Sequence, residues 1–558
     1  MLGIFAARGR PNIREAITLV VAVGKFGIVA SMLPGVLEGD VYVSSLGTFV
    51  AGIEFSLRAD PLGMLFATLA SLLWIVTSLY SVGYMRGLDE HAQTRYFASF
   101  AMSLSAAVGI AFASNLLVLF VFYELLTVAT YPLVTHDETR EARAAGRKYL
   151  LYTFGGGVAV LTGTILVSLL AGTVSFAPGG IEGLATADPA LARAAFALLA
   201  GGFGVKAALM PIHSWLPDAM VAPTPVSGLL HAVAVVKSGV FGIARLVLEV
   251  FGPEVVSDLG VGVALAAVAA FTLVTASVIA LRKDNLKRRL AYSTVSQLSY
   301  IVLGLAVLSP ASITGGLLHI PAHAFMKLTL FFCAGIIHVE THTDDISQMA
   351  GIGKRMPLTM IAFAIAAAGM AGIPLVAGFV SKFYLLVGTV STGEYVFVGA
   401  LLLSGVLNVA YFWPIVYQAF FETEDVHDAK PLVEHPLGGE PRSTMVSPDG
   451  GEPGATGGVG DEGPRNHEIQ QDVDNEGDDR YQDSGLAHHD DHGHHGGPPP
   501  GGWDRRRPFG DESTWFMLGP ILVAMAGSVI LGLVPYQAAF LRLVDVVVRA
   551  TLGTGVIG

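Results

Sequence analysis

The sequence predicts an all-α polytopic membrane protein, and three observations carry that expectation. Mean hydropathy is +0.60 and only 14% of the 558 residues are charged, which is the balance of a chain living mostly in lipid. About thirteen apolar runs follow one another, each near the roughly 20 residues an α-helix needs to cross a bilayer. Two of these runs are interrupted by glycine and proline and hold a lysine. Lipid tolerates such a break only where protein or a wet cavity surrounds it.

In chain order the spans are 13–36, 61–84, 95–113, 116–134, 148–171, 194–214, 227–248, 260–281, 289–308, 312–338, 357–387, 394–421 and 515–537. Arg8, Arg10 and Arg14 precede the first, which has spanning length and no evident cleavage site, so it reads as a retained helix. After it, Ile53, Phe55 and Leu57 alternate with Glu54, Ser56 and Arg58, the period of a short strand or hairpin. Residues 1–60 are therefore an N-terminal helix and external hairpin loop. Residues 61–421 form the transmembrane core, with repeats at about 95–248 and 260–421. Residues 515–558 supply a last helix and a tail.

Loop bases orient the chain. One side receives Arg8, Arg10, Arg14, Arg86, Arg140, Arg143, Arg147, Lys148, the cluster Arg282, Lys283, Lys287, Arg288 and Arg289, then Lys354 and Arg355. The other has little beyond Arg58, Arg193, Arg542 and Arg549. The expectation is a multi-pass plasma or inner membrane protein with its N-terminus inside and its C-terminus outside.

The formal net charge of −12 belongs to one segment, since residues 422–514 carry 22 acidic and 7 basic residues. Rich in Gly, Pro and acid, this cytoplasmic insert lacks the apolar surface to offset chain entropy and reads as disordered. Its His488, His489, His492, His494 and His495 offer imidazoles for Zn²⁺ or Ni²⁺, or for sensing pH, against the plainer reading of a solvated loop. The lone Cys333 excludes an intrachain disulfide framework, a cysteine-based iron–sulfur site and a CxxC motif.

Ionisable residues inside the spans point to chemistry. A charge at the bilayer centre costs about 2.5–3.5 kcal/mol on insertion scales, so it must face a polar partner or water. Lys206 lies in the broken run Gly201–Pro211, and Glu124 lies mid-span in 119–126. A carboxylate facing a desolvated lysine sets its affinity for protons, or else forms a fixed ion pair between helices. Lys237 and His231 lie six positions apart in the next span, on different helix faces that can flank one wet path. His319, His323 and Lys327 recur at i, i+4 and i+8, stacked along one face over roughly 12 Å. Imidazoles carry protons near pH 7; His-x3-His is also metal-ligand spacing, but no Glu follows the first His and a lysine extends the row. Lys382 closes the second broken run, Gly369–Lys382, five spans after the first, so the two cross in opposite directions. Paired interrupted helices of this kind point to an inverted repeat with ion sites near the midplane.

The run His213-Ser-Trp-Leu-Pro-Asp-Ala-Met-Val-Ala-Pro-Thr-Pro-Val-Ser-Gly-Leu-Leu-His231 resembles the signature of antiporter-like subunits, found in Mrp-type multi-subunit cation/proton antiporters, respiratory complex I and membrane hydrogenases. Tyr80–Met85, Lys287–Gln297 and His319–Lys327 resemble it too, so the likeness covers nearly all the apolar chain. With Lys rather than Glu at 382, the chain looks most like the D-type component of Mrp antiporters, or the channel portion of their A-type component. The resemblance implies two inverted five-helix repeats, each with a broken helix, and a hydrated midplane axis. On it Glu124 would partner Lys206, Lys237 would link onward, His319, His323 and Lys327 would bridge the halves, and Lys382 would end the path. Family members usually carry another helix before Asn12, fourteen in all. Asn285 stands where an acid is common, with Asp284 beside it.

The function expected is a proton-translocating subunit of a Na⁺/H⁺ antiporter, a secondary transporter rather than an enzyme. Its partners would be other subunits of the complex, H⁺, Na⁺ or another monovalent cation, and the lipid bilayer. Neither a cofactor nor nucleic acid is called for. The rivals are the proton-pumping subunit of a complex I-like NADH/quinone oxidoreductase or hydrogenase (a translocase), the proton-coupling subunit of an inorganic-carbon uptake complex with a zinc-binding partner, and a non-transporting scaffold.

Overall fold

A computed structural model describes residues 1–50, 52–423, 497–498, 503 and 510–555. The histidines at 488, 489, 492, 494 and 495 and most of the 422–514 insert lie outside the described residues. A short α1 (Leu2–Ala6) leads to α2 (Pro11–Glu38), which opens on proline, where the missing N–H costs nothing, and closes on Gly39 at φ 105°. The alternation over 53–58 becomes an antiparallel hairpin of β1 (Tyr42–Val50) and β2 (Ile53–Ala59).

From there the chain is helical. Side-chain caps start α3 (Pro61–Gly87, capped by Asp60), α5 (Leu116–Val134, by Asn115), α6 (Arg140–Ala171, by Thr139) and α8 (Pro189–Lys206, by Asp188). Each cap accepts from N–H groups that a helix start leaves without an intrahelical partner, Asp188 from two of them. Between them lie α4 (Gln93–Phe112) and the short α7 (Glu182–Ala185). Beyond Lys206 the helix stops and resumes as the short α9 (Trp215–Asp218) and α10 (Thr224–Gly228). Then α11 (Val235–Arg245) is flanked by single π turns at Leu229–Val233 and Leu246–Val250. After α12 (Gly252–Asp258) come α13 (Val261–Leu281), α14 (Leu286–Ala306), α15 (Pro310–Thr341), α16 (Pro357–Ala371), α17 (Ala377–Ser391), α18 (Tyr395–Phe421), α19 (Trp515–Leu533) and α20 (Phe540–Leu552).

Among the described residues nine helices are long and apolar enough to cross a membrane: α2 to α6, α13, α15, α18 and α19. The remaining four of the thirteen expected spans are shorter, broken or polar: α8 with its break, α10–α11 with their π turns, α14, and α16–α17. They hold Lys206, Lys237, Gln297 and Lys382. Each of these four crossings departs from a plain apolar helix, a departure that lipid alone would not permit, while Glu124, His319, His323 and Lys327 lie on the long apolar helices α5 and α15. The two breaks, 207–214 and 372–376, follow Lys206 at the end of α8 and separate α16 from α17, in the two runs that glycine and proline punctuate in the sequence.

The centre is α15, whose most apolar stretch is entirely buried and packs against α14, α16, α17 and α19. The reading of 515–558 as one helix and a tail needs correction, because α20 is a second, amphipathic helix. Its Phe540, Leu541, Leu543, Val544, Val547 and Val548 are buried, in part against α3 and α15. The far end of the insert is tied down: Glu512 accepts from the backbone N–H of Leu358 and Thr359 and from Thr359 Oγ1, at the positive end of α16.

At the hairpin end of the bundle, four charges interlock. Arg245, fully buried, forks onto Asp60 with two bonds of 2.9 Å and donates to Glu249 one turn on, and its guanidinium is 5.0 Å from the Phe176 ring centroid. Arg58 donates to Asp60 at 2.9 Å and lies 3.5 Å from Glu249, so hairpin, α3 and α11 are joined by two cations and two anions. Removing one partner of a buried pair strands the others. Arg245→Leu is expected to cost about 3–5 kcal/mol and to lower the thermal midpoint of the purified protein, read by tryptophan fluorescence in detergent. Arg282→Leu, in a surface loop, should leave it nearly unchanged.

Candidate functional site

Burial dictates what each mid-bundle lysine must do, since an ammonium removed from water needs an acceptor. Lys206, the buried last residue of α8, donates to the Tyr123 carbonyl on α5, and its Nζ lies 3.4 Å from the Tyr123 ring centroid. The expected contact pair with Glu124 is not formed, because neither carboxylate oxygen has a hydrogen-bond partner. Tyr123 and Glu124 are successive residues, about 100° apart around α5, and the ammonium faces the first. Glu124 remains within electrostatic reach of Lys206 and rests on Gly157 of α6, where a Cβ would stand 2.2 Å from its Oε1. Gly202 of α8 meets α6 in the same way, its added Cβ falling 2.6 Å from the Gly156 carbonyl oxygen. Small residues here let three helices close on the carboxylate.

Lys237 is held differently. Its Nζ lies 2.8 Å from Nδ1 of His323, which joins α11 to α15 and therefore the two five-helix units. His231 has no hydrogen bond at either ring nitrogen and packs 4.8 Å from the Phe331 ring. His231 and Lys237, expected on different helix faces that flank one path, both meet α15, eight residues apart, at Phe331 and His323. The helix between them is irregular, with a π turn at 229–233 and a bend at Ala234.

The row His319, His323 and Lys327 shares one helix, but its members reach different neighbours. His319 bonds Ser381 Oγ on α17 (2.8 Å) and Gln297 Oε1 on α14 (2.9 Å). Lys327 donates to the Leu290 carbonyl (2.8 Å) and to Ser293 Oγ. The imidazoles of His319 and His323 lie 6.1 Å apart between centroids and share no hydrogen bond, and His323 Nε2 has no partner. Lys382 does not reach outward: its Nζ donates to the Met370 carbonyl at the end of α16 and lies 4.7 Å from the Tyr300 ring. That carbonyl is among the last four of its helix, which an uninterrupted helix would use internally.

Several participants went unread in the sequence. Gln297 hands its amide on to Asn408 of α18 (3.0 Å), which also accepts from Tyr411. Ser277, Ser296 and Ser404 form a hydroxyl cluster. On α2, Lys25 donates to the Leu104 carbonyl (3.1 Å) and lies 4.3 Å from the Trp74 ring. An amide or ammonium inside an apolar run was the available signal, because each needs a partner across the interface.

This arrangement defines a membrane protein with a buried row of titratable groups spanning two broken-helix units. The chain belongs to the NADH:quinone oxidoreductase/Mrp antiporter transmembrane family, whose model matches residues 113–408. It is 34% identical over 374 residues to NADH-quinone oxidoreductase subunit N of Desulforudis audaxviator, covering 66% of this chain and 73% of that one. It is 37% identical over 366 residues to the A-type component of the Na(+)/H(+) antiporter of Alkalihalophilus pseudofirmus, covering 62% of this chain and 44% of that one. The chain therefore spans less than half the length of that antiporter relative. In fold it resembles a chain of the Mrp complex from a Dietzia species, with TM-score 0.74 and 21% identity over 98% of this chain and 94% of that chain. A chain of an archaeal membrane-bound sulfane sulfur reductase gives TM-score 0.67 at 25% identity over 75% and 86%.

Gly157→Ala tests the packing of the carboxylate. The intruding methyl meets the end of a movable side chain, so stability should hardly change while Glu124 is displaced. Proton flux through the reconstituted complex should fall severalfold, and Gly155→Ala, with open space beside it, should behave as wild type.

Proposed function

We propose that this chain is a proton-translocating subunit of a multi-subunit membrane antiporter exchanging H⁺ for Na⁺ or another monovalent cation. The observation that carries the reading is the 2.8 Å bond between Lys237 and His323, a donor–acceptor pair of two proton carriers placed where the two units meet. In one step the Lys237 ammonium gives a proton to His323 Nδ1, leaving a neutral amine and an imidazolium. Glu124 and Lys206 form the loading end, and a change in either charge alters the field felt by the other. Lys382, with Tyr300, His319 and Ser381, forms the far end. The partnerless nitrogens of His231 and His323 and the oxygens of Glu124 support a hydrated path, since a buried polar atom left without water or protein costs about 1–3 kcal/mol.

The loop bases favour a cytoplasmic N-terminus and insert, with the C-terminus outside. Proton entry would then drive cation export, each charge moved through about 100 mV gaining roughly 2.3 kcal/mol. A second reading, the proton-pumping membrane subunit of a redox complex, is favoured by the subunit N relative, of which this chain covers 73%. Neighbouring genes for small antiporter subunits, rather than iron–sulfur or flavin subunits, would decide between them.

The test is the whole operon in salt-sensitive cells, with Na⁺-driven pH change recorded in everted vesicles. Glu124→Ala and Lys206→Ala are expected to abolish the signal while the complex still assembles, and deletion of 430–500 should leave it intact. An undiminished signal in both point variants sinks the reading.

A further inference from the structure

A second cluster of titratable side chains lies away from the mid-bundle row, at the end of the bundle opposite the hairpin. There the turn between α3 and α4 meets the residues that follow α5. His136 is 0% exposed, yet neither ring nitrogen makes a hydrogen bond. Its Nε2 lies 3.5 Å from Glu90 Oε2, and His91 Nδ1 lies 3.7 Å from the same oxygen. The two imidazole centroids are 4.7 Å apart, and one ligand atom from each of the three residues falls within 4.8 Å of the others.

Sequence and packing explain how the three converge. Asp89 and Ala92 take positive φ values (48° and 47°), which folds the turn back so that Glu90 and His91 face the end of α5. Arg95 donates to the His136 carbonyl at 3.1 Å and fixes that backbone. Tyr96, 5.6 Å away between centroids, closes one side of the buried ring. Asp137 adds a second carboxylate within electrostatic reach of both imidazoles, with Lys287 the nearby opposing charge.

We propose that Glu90, His91 and His136 form a divalent transition-metal site, with Zn²⁺ the ion it suits best. Two neutral imidazoles and a carboxylate are the ligand set that borderline ions such as Zn²⁺ prefer, whereas Mg²⁺ and Ca²⁺ want oxygen donors throughout. Ligand bonds of about 2.0–2.2 Å require the three atoms to draw closer than they lie here, and half-exposed His91 has the freedom to swing in. His136 supplies the fixed ligand, because a buried imidazole with no hydrogen bond at either nitrogen has already met the desolvation penalty that a metal bond would offset. Occupancy ties the α3–α4 turn to the end of α5, the helix that carries Glu124 twelve residues earlier. The site stands on its own geometry and does not depend on the transport reading.

The experiment uses the full chain in lipid nanodiscs, with His488, His489, His492, His494 and His495 replaced by alanine so that the insert does not bind metal. Co²⁺ serves as the spectroscopic probe and Zn²⁺ as competitor. The expected result is one Co²⁺ per chain with visible d–d absorption, displaced by Zn²⁺. Zn²⁺ should also raise the thermal midpoint, as any ligand selective for the folded state does. Glu90→Gln and His136→Ala should each weaken binding by roughly tenfold or more and remove the Zn²⁺-dependent rise, while Glu138→Gln should change neither. Glu90→Gln keeps the test valid should the buried His136 variant fold poorly. No Co²⁺ spectrum in the parent chain, or a spectrum that survives both substitutions, overturns the assignment.

Discussion

An ammonium inside an apolar bundle must find an acceptor, and this requirement organises the molecule. Lys25, Lys206, Lys327 and Lys382 each solve it with a backbone carbonyl, of Leu104, Tyr123, Leu290 and Met370 respectively. Aromatic faces from Trp74, Tyr123, Phe412 and Tyr300 lie within 3.4 to 5.5 Å of the four ammoniums. Lys237 differs, because its acceptor is the imidazole of His323. A carbonyl can hold a proton donor in place but cannot take its proton, whereas an imidazole can do both. The joint between the two units is therefore chemically unlike the lysine positions on either side.

The interrupted helices follow from the same requirement. At Lys382, the end of α16 exposes carbonyls that a continuous helix would keep for itself, and one of them receives the ammonium. Around Glu124, glycines at 156, 157 and 202 remove side chains so that α5, α6 and α8 enclose a carboxylate with no hydrogen-bonding partner. At the hairpin end, polarity is handled in the opposite manner: Arg58, Asp60, Arg245 and Glu249 satisfy one another and fasten β2, α3 and α11. One group of charges is paired and structural. The other keeps unpartnered atoms on Glu124 of α5, on His231 before α11 and at His323 Nε2 of α15.

Local chemistry in the sequence made much of this legible. Hydropathy marked the crossings, alternation at 53–58 marked the hairpin, and Gly/Pro punctuation around Lys206 and Lys382 marked both breaks. An ionisable residue in hydrocarbon is conspicuous whatever its neighbours, so Glu124, Lys206, Lys237, His319, His323, Lys327 and Lys382 could be named without coordinates. Lys25 was equally conspicuous, a lone lysine within the first span.

What the sequence by itself determined is which residues cannot face lipid and which stretches form long apolar helices, because both depend on composition within one helix turn or one span. Tertiary structure alone decided who meets whom. Lys206 faces Tyr123 rather than Glu124, a choice of one residue in the rotation of α5 against α8. His231 and Lys237, six residues apart in an irregular helix, both meet α15. The row at 319, 323 and 327 is divided among α11, α14 and α17, and its links run through Gln297, Asn408 and Ser381. His136 meets Glu90 and His91 across 45 residues of chain. Such pairings are set by helix rotation and contact between distant segments, and no local pattern encodes them.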